Sequence, residues 1–332
     1  MKFARFAIGL AAGLAMTASA ALADTTTLRI TLQLPLKSHL GENVSLFKQK
    51  VEEISGGDIK VEIYDSAQLY KDNEVPQAVG SGAIEMGVAS LTRYVGDVPA
   101  VDVFYMPFLL NSEELVRKAV AQDSPVRGPL DEAILETGAR VLWWQAYGGS
   151  VLLSKGEPIR TPADLQGKKV RVFGKTLGEW IKAAGGAPTM VSGSEQYIAY
   201  QRGTVDVGMT GVSAVDSRRL WEVMDTITVT NNADIEFIVV VNEQFWQGLP
   251  EQHRAWINEA ALFAEKDVRD RMSSIEAASY KAGRENGMTV YELSDEEVAA
   301  WEAAAQPVYD QFLADSGELG AKVLEAARAL KN

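Results

Sequence analysis

The chain has 332 residues, with 32 Lys and Arg against 45 Asp and Glu, a net charge of −13, two histidines and no cysteine. So acidic a chain lacks the basic footprint that nucleic acid requires, and anionic lipid surfaces repel it. The missing cysteine removes disulfides, thiolate metal sites and cysteine nucleophiles together.

At the start of the chain, Lys2 and Arg5 flank the beginning of an apolar run, and Ala21-Leu22-Ala23 forms an A-x-A site before Asp24. This predicts a cleavable secretory signal peptide over residues 1–23 and a mature protein from about Asp24. The apolar run is short and alanine-rich for a membrane anchor, and nothing later is apolar enough to span a bilayer, so no membrane insertion of the mature chain is expected. The leader carries two positive charges and no acid, so its loss takes the net charge from −13 to −15. The remaining residues suffice for two domains of roughly 150 each.

Leu28 to Leu32 reads as a strand, and Leu40, Val44, Phe47, Val51 and Ile54 recur at helical spacing until Gly56-Gly57. Ile59 to Tyr64 alternates as a strand, a helix covers about Asp72 to Val79, and a strand follows around Ile84 to Ala89. Strand and helix taken in turn predict an α/β layer with a mostly parallel sheet. The pattern returns after Tyr147. Thr161-Pro162-Ala163-Asp164 has the composition of a helix start, the strand 169–173 follows, and helices near 178–184 and 194–201 precede a strand near Val205.

An eleven-residue echo links the two halves. Residues 78–88 (AVGSGAIEMGV) and 199–209 (AYQRGTVDVGM) share a helix end stopped by glycine and a strand ending on glycine. This predicts two lobes with small, close-approach residues at equivalent strand ends, where open α/β sheets bind ligands. From Pro250 to about Gly283 no glycine or proline interrupts a helix long enough to span both lobes. A short strand at 288–293, a capping box at Ser294 to Glu297 and a closing helix at 319–330 complete the chain.

The catalytic inventory is nearly empty. His39 and His253 stand apart and read as surface or capping residues, and no metal-ligand spacing, nucleophile elbow or P-loop is present. Neither a metal nor a cofactor is expected, and the chain reads as a binder rather than an enzyme. Asn43-Val44-Ser45 fits a glycosylation acceptor but falls inside the first helix. One strand poses the sharper question. In GKKVRVFG (167–174), alternation puts Lys169, Arg171 and Phe173 on one face and Val170 and Val172 on the other, with a cation at the strand's centre.

Several long blocks carry a resemblance: SGGDIKVEIYDSAQL (55–69), SGAIEMGVAS (81–90), GDVPAVDVFYMPFLL (96–110), TPADLQGKKVRVFG (161–174), and the run from SEQYIAYQRGTVDVGMTG to LWEVMDTITVTN ending at 231. With these the chain resembles DctP-type extracytoplasmic solute-binding proteins of tripartite ATP-independent periplasmic (TRAP) transporters. The resemblance implies two α/β lobes joined by crossing strands and a long helix, with ligand closed between them. Lobe I would be 24–148 plus 237–276, and lobe II 149–236 plus 277–332. The implied function is periplasmic capture of a small organic carboxylate and its delivery to a TRAP membrane permease. An exported α/β enzyme acting on an organic acid, or a ligand-sensing periplasmic protein, are the alternatives.

By that resemblance Arg171 holds the ligand carboxylate, a task suited to a planar, permanently charged fork. Gln33 would present a polar side chain at the end of the first strand. Glu74 would meet a ligand hydroxyl or amine, or only the helix dipole. Arg93 would be a second cleft cation or a solvated residue, and Trp144 and Phe173 cleft walls or core. Thr210 stands where many relatives have asparagine, Gly148-Gly149-Ser150 lacks the arginine of some relatives, and Gly193 replaces a frequent aromatic. These departures predict a monocarboxylate with a partly apolar body, held by one strongly anchored acid group.

Overall fold

A computed structural model describes residues 25–331, so the expected signal peptide lies outside the described residues. The chain opens with β1 (Thr26–Thr31), α1 (His39–Ile54), β2 (Ile59–Tyr64), α2 (Val75–Gly80) and β3 (Met86–Ser90). Two 3-10 turns (Leu91–Tyr94 and Pro99–Tyr105) and the helices α3 (Glu113–Val120) and α4 (Arg127–Leu135) lead to the long strand β4 (Ala139–Ser154). The second half runs through β5 (Lys169–Val172), α5 (Lys175–Ala183), β6 (Ala187–Met190), α6 (Gln196–Gln201), β7 (Val207–Gly211), α7 (Ser213–Ser217) and β8 (Thr226–Val229). It closes with β9 (Asp234–Asn242), α8 (Glu243–Gly248), α9 (Glu251–Glu285), β10 (Thr289–Glu292) and α10 (Asp295–Ala329), the last broken at Gly317.

Two sheets share one strand. The first half of β4 pairs antiparallel with β9 up to Gly149, and its second half pairs with β7 and β8 from Ser150 onward. Each half of the molecule then repeats one arrangement. In lobe I the order is β2-β1-β3-β9, with β1 parallel to both neighbours and β9 antiparallel. In lobe II it is β6-β5-β7-β4, with the same senses. The echo therefore marks equivalent places: α2, Gly82 and β3 correspond to α6, Gly203 and β7, and both glycines take positive φ (77° and 65°).

The repeated strand glycines stand near the start of β3 and β7, not at their ends as the pattern suggested. Their smallness admits the preceding helix rather than a ligand. A Cβ on Gly87 would come within 2.6 Å of Val75 Cγ1, and one on Gly208 within 2.3 Å of the Tyr200 hydroxyl. The acid before each glycine matches as well. Glu85 accepts from the Arg29 backbone N–H and Asp206 from that of Lys169, tying the neighbouring parallel strand in each lobe.

Local chemistry explains most element ends. Ser38 caps α1 by accepting from Gly41, and Ser294 with Glu297 forms the expected capping box on α10. Thr161 to Asp164 yields only a 3-10 turn, with Asp164 accepting from the Thr161 N–H at 2.8 Å. The helix expected from Asp72 starts at Val75. Helix α9 runs 35 residues, packing on α1 and β4 at one end and on α7 and β10 at the other. Residues 234–236 pair with β4 in the first sheet, and α10 packs on both the Pro99–Tyr105 turn and α5, so it contacts both halves. No described helix is long and apolar enough to cross a membrane.

His39 is buried rather than superficial. Its Nε2 lies 3.1 Å from the Ala146 carbonyl, and burial pulls its pKa down to about 4 despite that hydrogen bond. His253 is half-buried against Thr26 and Trp256. Asn43 is fully buried and donates to the Ala264 carbonyl, which leaves no room for a glycan.

Candidate functional site

A cavity lined by residues of both lobes lies between them. It is built at the carboxyl ends of the parallel strands, where loops turn outward and backbone groups are free to meet a ligand. Gln33 follows β1, Ser90 ends β3, Arg171 and Phe173 sit at the end of β5, and Thr210 near the end of β7. The crossing strands add Tyr147, Ile235 and Phe237 as an apolar floor, with Tyr147 and Phe237 tilted at 5.0 Å between ring centroids.

The alternation in β5 holds. Val170 and Val172 are buried in the lobe core, while Arg171 and Phe173 turn to the cavity with the guanidinium 5.3 Å from the Phe173 ring. Arg171 is 3% exposed. Its Nε donates to the Val191 carbonyl at 3.0 Å and its Nη1 to the Met209 carbonyl at 2.6 Å. Two of five N–H groups are thus used to fix the fork, and no described acidic side chain forms an ion pair with it. Burial pulls its pKa below the ordinary arginine value; Tyr200 opposes this, and the positive charges of Arg218 and Arg93 add to it. A desolvated cation without an anion is costly.

Five of the seven expected site residues come together here: Arg171, Thr210, Gln33, Phe173 and Arg93. Arg93 is a cleft cation rather than a solvated one, paired with the buried Asp72 at 2.8 Å. Two residues lie elsewhere. Trp144 is fully buried in lobe I, packed at 5.0 Å on Phe104 with its Nε1 donating to Asp131, so its ring walls the core and not the cavity. Glu74 is an exposed residue at the head of α2 whose carboxylate accepts from the Lys71 N–H upstream and makes no capping bond to the helix.

Sequence reasoning missed Asp72, Tyr147, Phe237 and, above all, Arg218. The cavity therefore has three guanidiniums against one carboxylate, where the sequence predicted Arg171, Arg93 as a second cleft cation or a solvated residue, and one strongly anchored acid group. Arg218 enters from the end of α7, just past the carboxyl end of β7, and that position was the available signal. Its neighbour Arg219 takes a left-handed conformation (φ 54°) and pairs outside with Glu222.

The rims of the two lobes touch. Lys71 pairs with Glu195 at 2.9 Å, Ser192 Oγ lies 3.4 Å from Asp72 Oδ1, and Arg93 reaches Met190. Behind the cavity, Asp102 of lobe I accepts from the Thr176 N–H at the head of α5 and from the Thr92 hydroxyl. Among the described residues no cluster of His, Asp and Glu has the arrangement of a metal site.

Two α/β lobes closing over a cationic cavity define the class of two-lobed binding proteins. The chain belongs to bacterial extracellular solute-binding protein family 7 (DctP), whose sequence profile matches residues 32–316. Family 7 proteins are extracytoplasmic solute receptors of TRAP transporters; they bind small organic acids and work with a membrane permease. The C4-dicarboxylate-binding periplasmic protein DctP of Rhodobacter capsulatus is 29% identical over 314 residues, covering 93% of this chain and 92% of that protein. Among solved structures, a Chromohalobacter salexigens TRAP solute-binding protein with bound D-glucuronate is 26% identical at a TM-score of 0.85, covering 91% of this chain and 99% of that one. The Bordetella pertussis receptor DctP7, which binds pyroglutamic acid, shares the fold at a TM-score of 0.87 and 20% identity, covering 91% and 99%.

Proposed function

We propose that the chain captures a small organic carboxylate between its lobes and presents it to the permease of a TRAP transporter. The observation that carries this reading is Arg171: buried, fixed by two backbone carbonyls, and without a carboxylate of its own fold. Its free edge faces the cavity and suits a bidentate hydrogen-bonded pair with an acid group. Phe173, Tyr147, Ile235 and Phe237 favour a ligand whose body is partly apolar. Capture would proceed by hinge closure, the acid settling on lobe II and lobe I folding over it. The contacts between the rims support a closed form in which the ligand is shielded from water.

A thermal-shift screen over organic acids tests the reading, because a ligand that binds only the folded state raises the melting temperature with its concentration. At least one compact acid should raise it, and Arg171→Ala should remove the shift. An unchanged shift in Arg171→Ala rejects the clamp. Export follows from the same reading: mass spectrometry of the mature protein should find Asp24 at its N-terminus, and a retained leader would contradict it.

A further inference from the structure

We infer that Asp102 is a positioning residue for capture, the fixed point about which the lobes close. From lobe I it supplies the N-cap that α5 of lobe II lacks, and so holds the strand end bearing Arg171 and Phe173. This deepens the function proposed above and rests on its reading that the lobes hinge.

A helix is commonly opened by a side chain that accepts from the N–H of its second or third residue. Helix α5 opens on Gly174, which has no side chain to do so. That space is already taken. A Cβ on Gly174 would come within 2.8 Å of Thr92 Oγ1, which belongs to lobe I. Asp102, on the Pro99–Tyr105 turn of the same lobe, meets the helix instead. Its Oδ2 accepts from the N–H of Thr176, the second residue of α5, at 3.2 Å, and its Oδ1 from the Thr92 hydroxyl at 2.7 Å. A carboxylate there also faces the positive end of the helix. The same turn grips the other side of Gly174, where the Tyr105 ring stands edge-on to Phe173 at 5.9 Å between centroids.

Strength decides which contacts between the lobes yield when the cleft opens. The rim pair Lys71–Glu195 is about half exposed on both sides, and such pairs contribute little. Asp102 is 1% exposed and Thr92 2%, and hydrogen bonds to a buried charged group are among the stronger ones in a protein. No described cation forms an ion pair with Asp102, so the Thr92 hydroxyl and the head of α5 are what compensate its burial. Helix α10 packs on both the turn and α5 and braces the contact from outside. The rims are therefore the parts that separate, and the Asp102 contact is the part that stays. Because β5 ends just before Gly174, Arg171 keeps its place against lobe I as the cleft opens and closes.

Distances between spin labels on the ligand-free mature protein test this. The chain has no cysteine, so Lys60→Cys in lobe I and Gln201→Cys in lobe II, both exposed, take one label each. Asp102→Ala should broaden the distribution of interlobe distances and lower the melting temperature by a few degrees, the size of one lost cap. Asp102→Asn keeps an acceptor for the Thr176 N–H and should stay close to the parent in both. Asp102→Ala combined with Thr92→Ala and Gly174→Ser returns a cap from within lobe II, with Thr92→Ala clearing its room. That triple variant should recover the melting temperature while its distances stay broad, and it carries the test if the single variant does not fold. The inference fails if the distances stay as narrow as the parent's without Asp102, or if the internal cap narrows them again. Arg171→Ala should leave these ligand-free distances unchanged, so a clamp rejected by the thermal-shift screen and a fixed point rejected here are separate results.

Discussion

The two lobes share one architecture and differ in what they bring to the cavity. Thr31 of β1 pairs in register with Gly87, and Arg171 of β5 pairs with Gly208, so the two residues occupy equivalent places. Thr31 is fully buried and donates to the Tyr70 carbonyl at 3.4 Å, a need met inside its own lobe. Arg171 is equally buried but keeps an edge free. One scaffold thus hosts a closed structural contact on one side and, in the function proposed above, a binding group on the other. The repeat dictates where a strand ends, and the residue placed there differs between the lobes.

Breaking the comparison at its strongest point means removing both residues in turn. Arg171→Ala should cost roughly 2–5 kcal/mol of ligand binding, the range for truncating one partner of a buried charge pair. Thr31→Ala should leave affinity nearly intact and lower the melting temperature only slightly. Calorimetry that finds equal losses would show that the lobes do not divide the work in this way.

The close approaches of helix to strand should behave alike in both lobes. Gly208→Ala would drive a methyl into the Tyr200 ring, and Gly87→Ala into Val75 and Val79. Each should destabilise by about 1–3 kcal/mol in denaturant unfolding, the usual cost of overpacking. A tolerated alanine in one lobe only would confine the repeat to topology.

A pH effect of up to about 3 kcal/mol is expected from His39, buried against the Tyr147 ring. Its pKa near 4 when folded lies below the usual 6.5, so the unfolded chain binds the extra proton first. Stability from this group is full above about pH 6.5 and is lost as the pH falls toward 4. His39→Gln should flatten that part of the stability curve, and a parallel curve for both proteins would contradict it. The smallest effect concerns the acids that tie the strands: Asp206→Asn and Glu85→Gln should each cost about 1 kcal/mol or less, Glu85 the more because it also pairs with Arg29 at 2.7 Å.

Strands with clean alternation were legible almost to the residue. Ile59 to Tyr64 needed no correction, and β5 showed both its faces, because a period of two is fixed by local geometry. The long helix was legible from the absence of breakers. What local pattern could not carry was long-range pairing: β4 passes from one sheet to the other at Gly149, and no property of that dipeptide announces the change. The site divided along the same line. Arg171 and Phe173 could be read from a strand and a resemblance, whereas Arg218 reaches the cavity from the end of a five-residue helix, beside an arginine that faces outward. Trp144 was open between wall and core on the resemblance alone, and bulges at Val141/Trp143 and Ala146/Gly148 break the period along β4 that could have told its face.

The most direct measurement is a crystal structure with the tightest-binding acid from the thermal-shift screen. One carboxylate should be bound by the free N–H groups of Arg171 at about 3 Å, beside Phe173. An acid found in any other cavity, or in this one with its carboxylate turned away from Arg171, would contradict it.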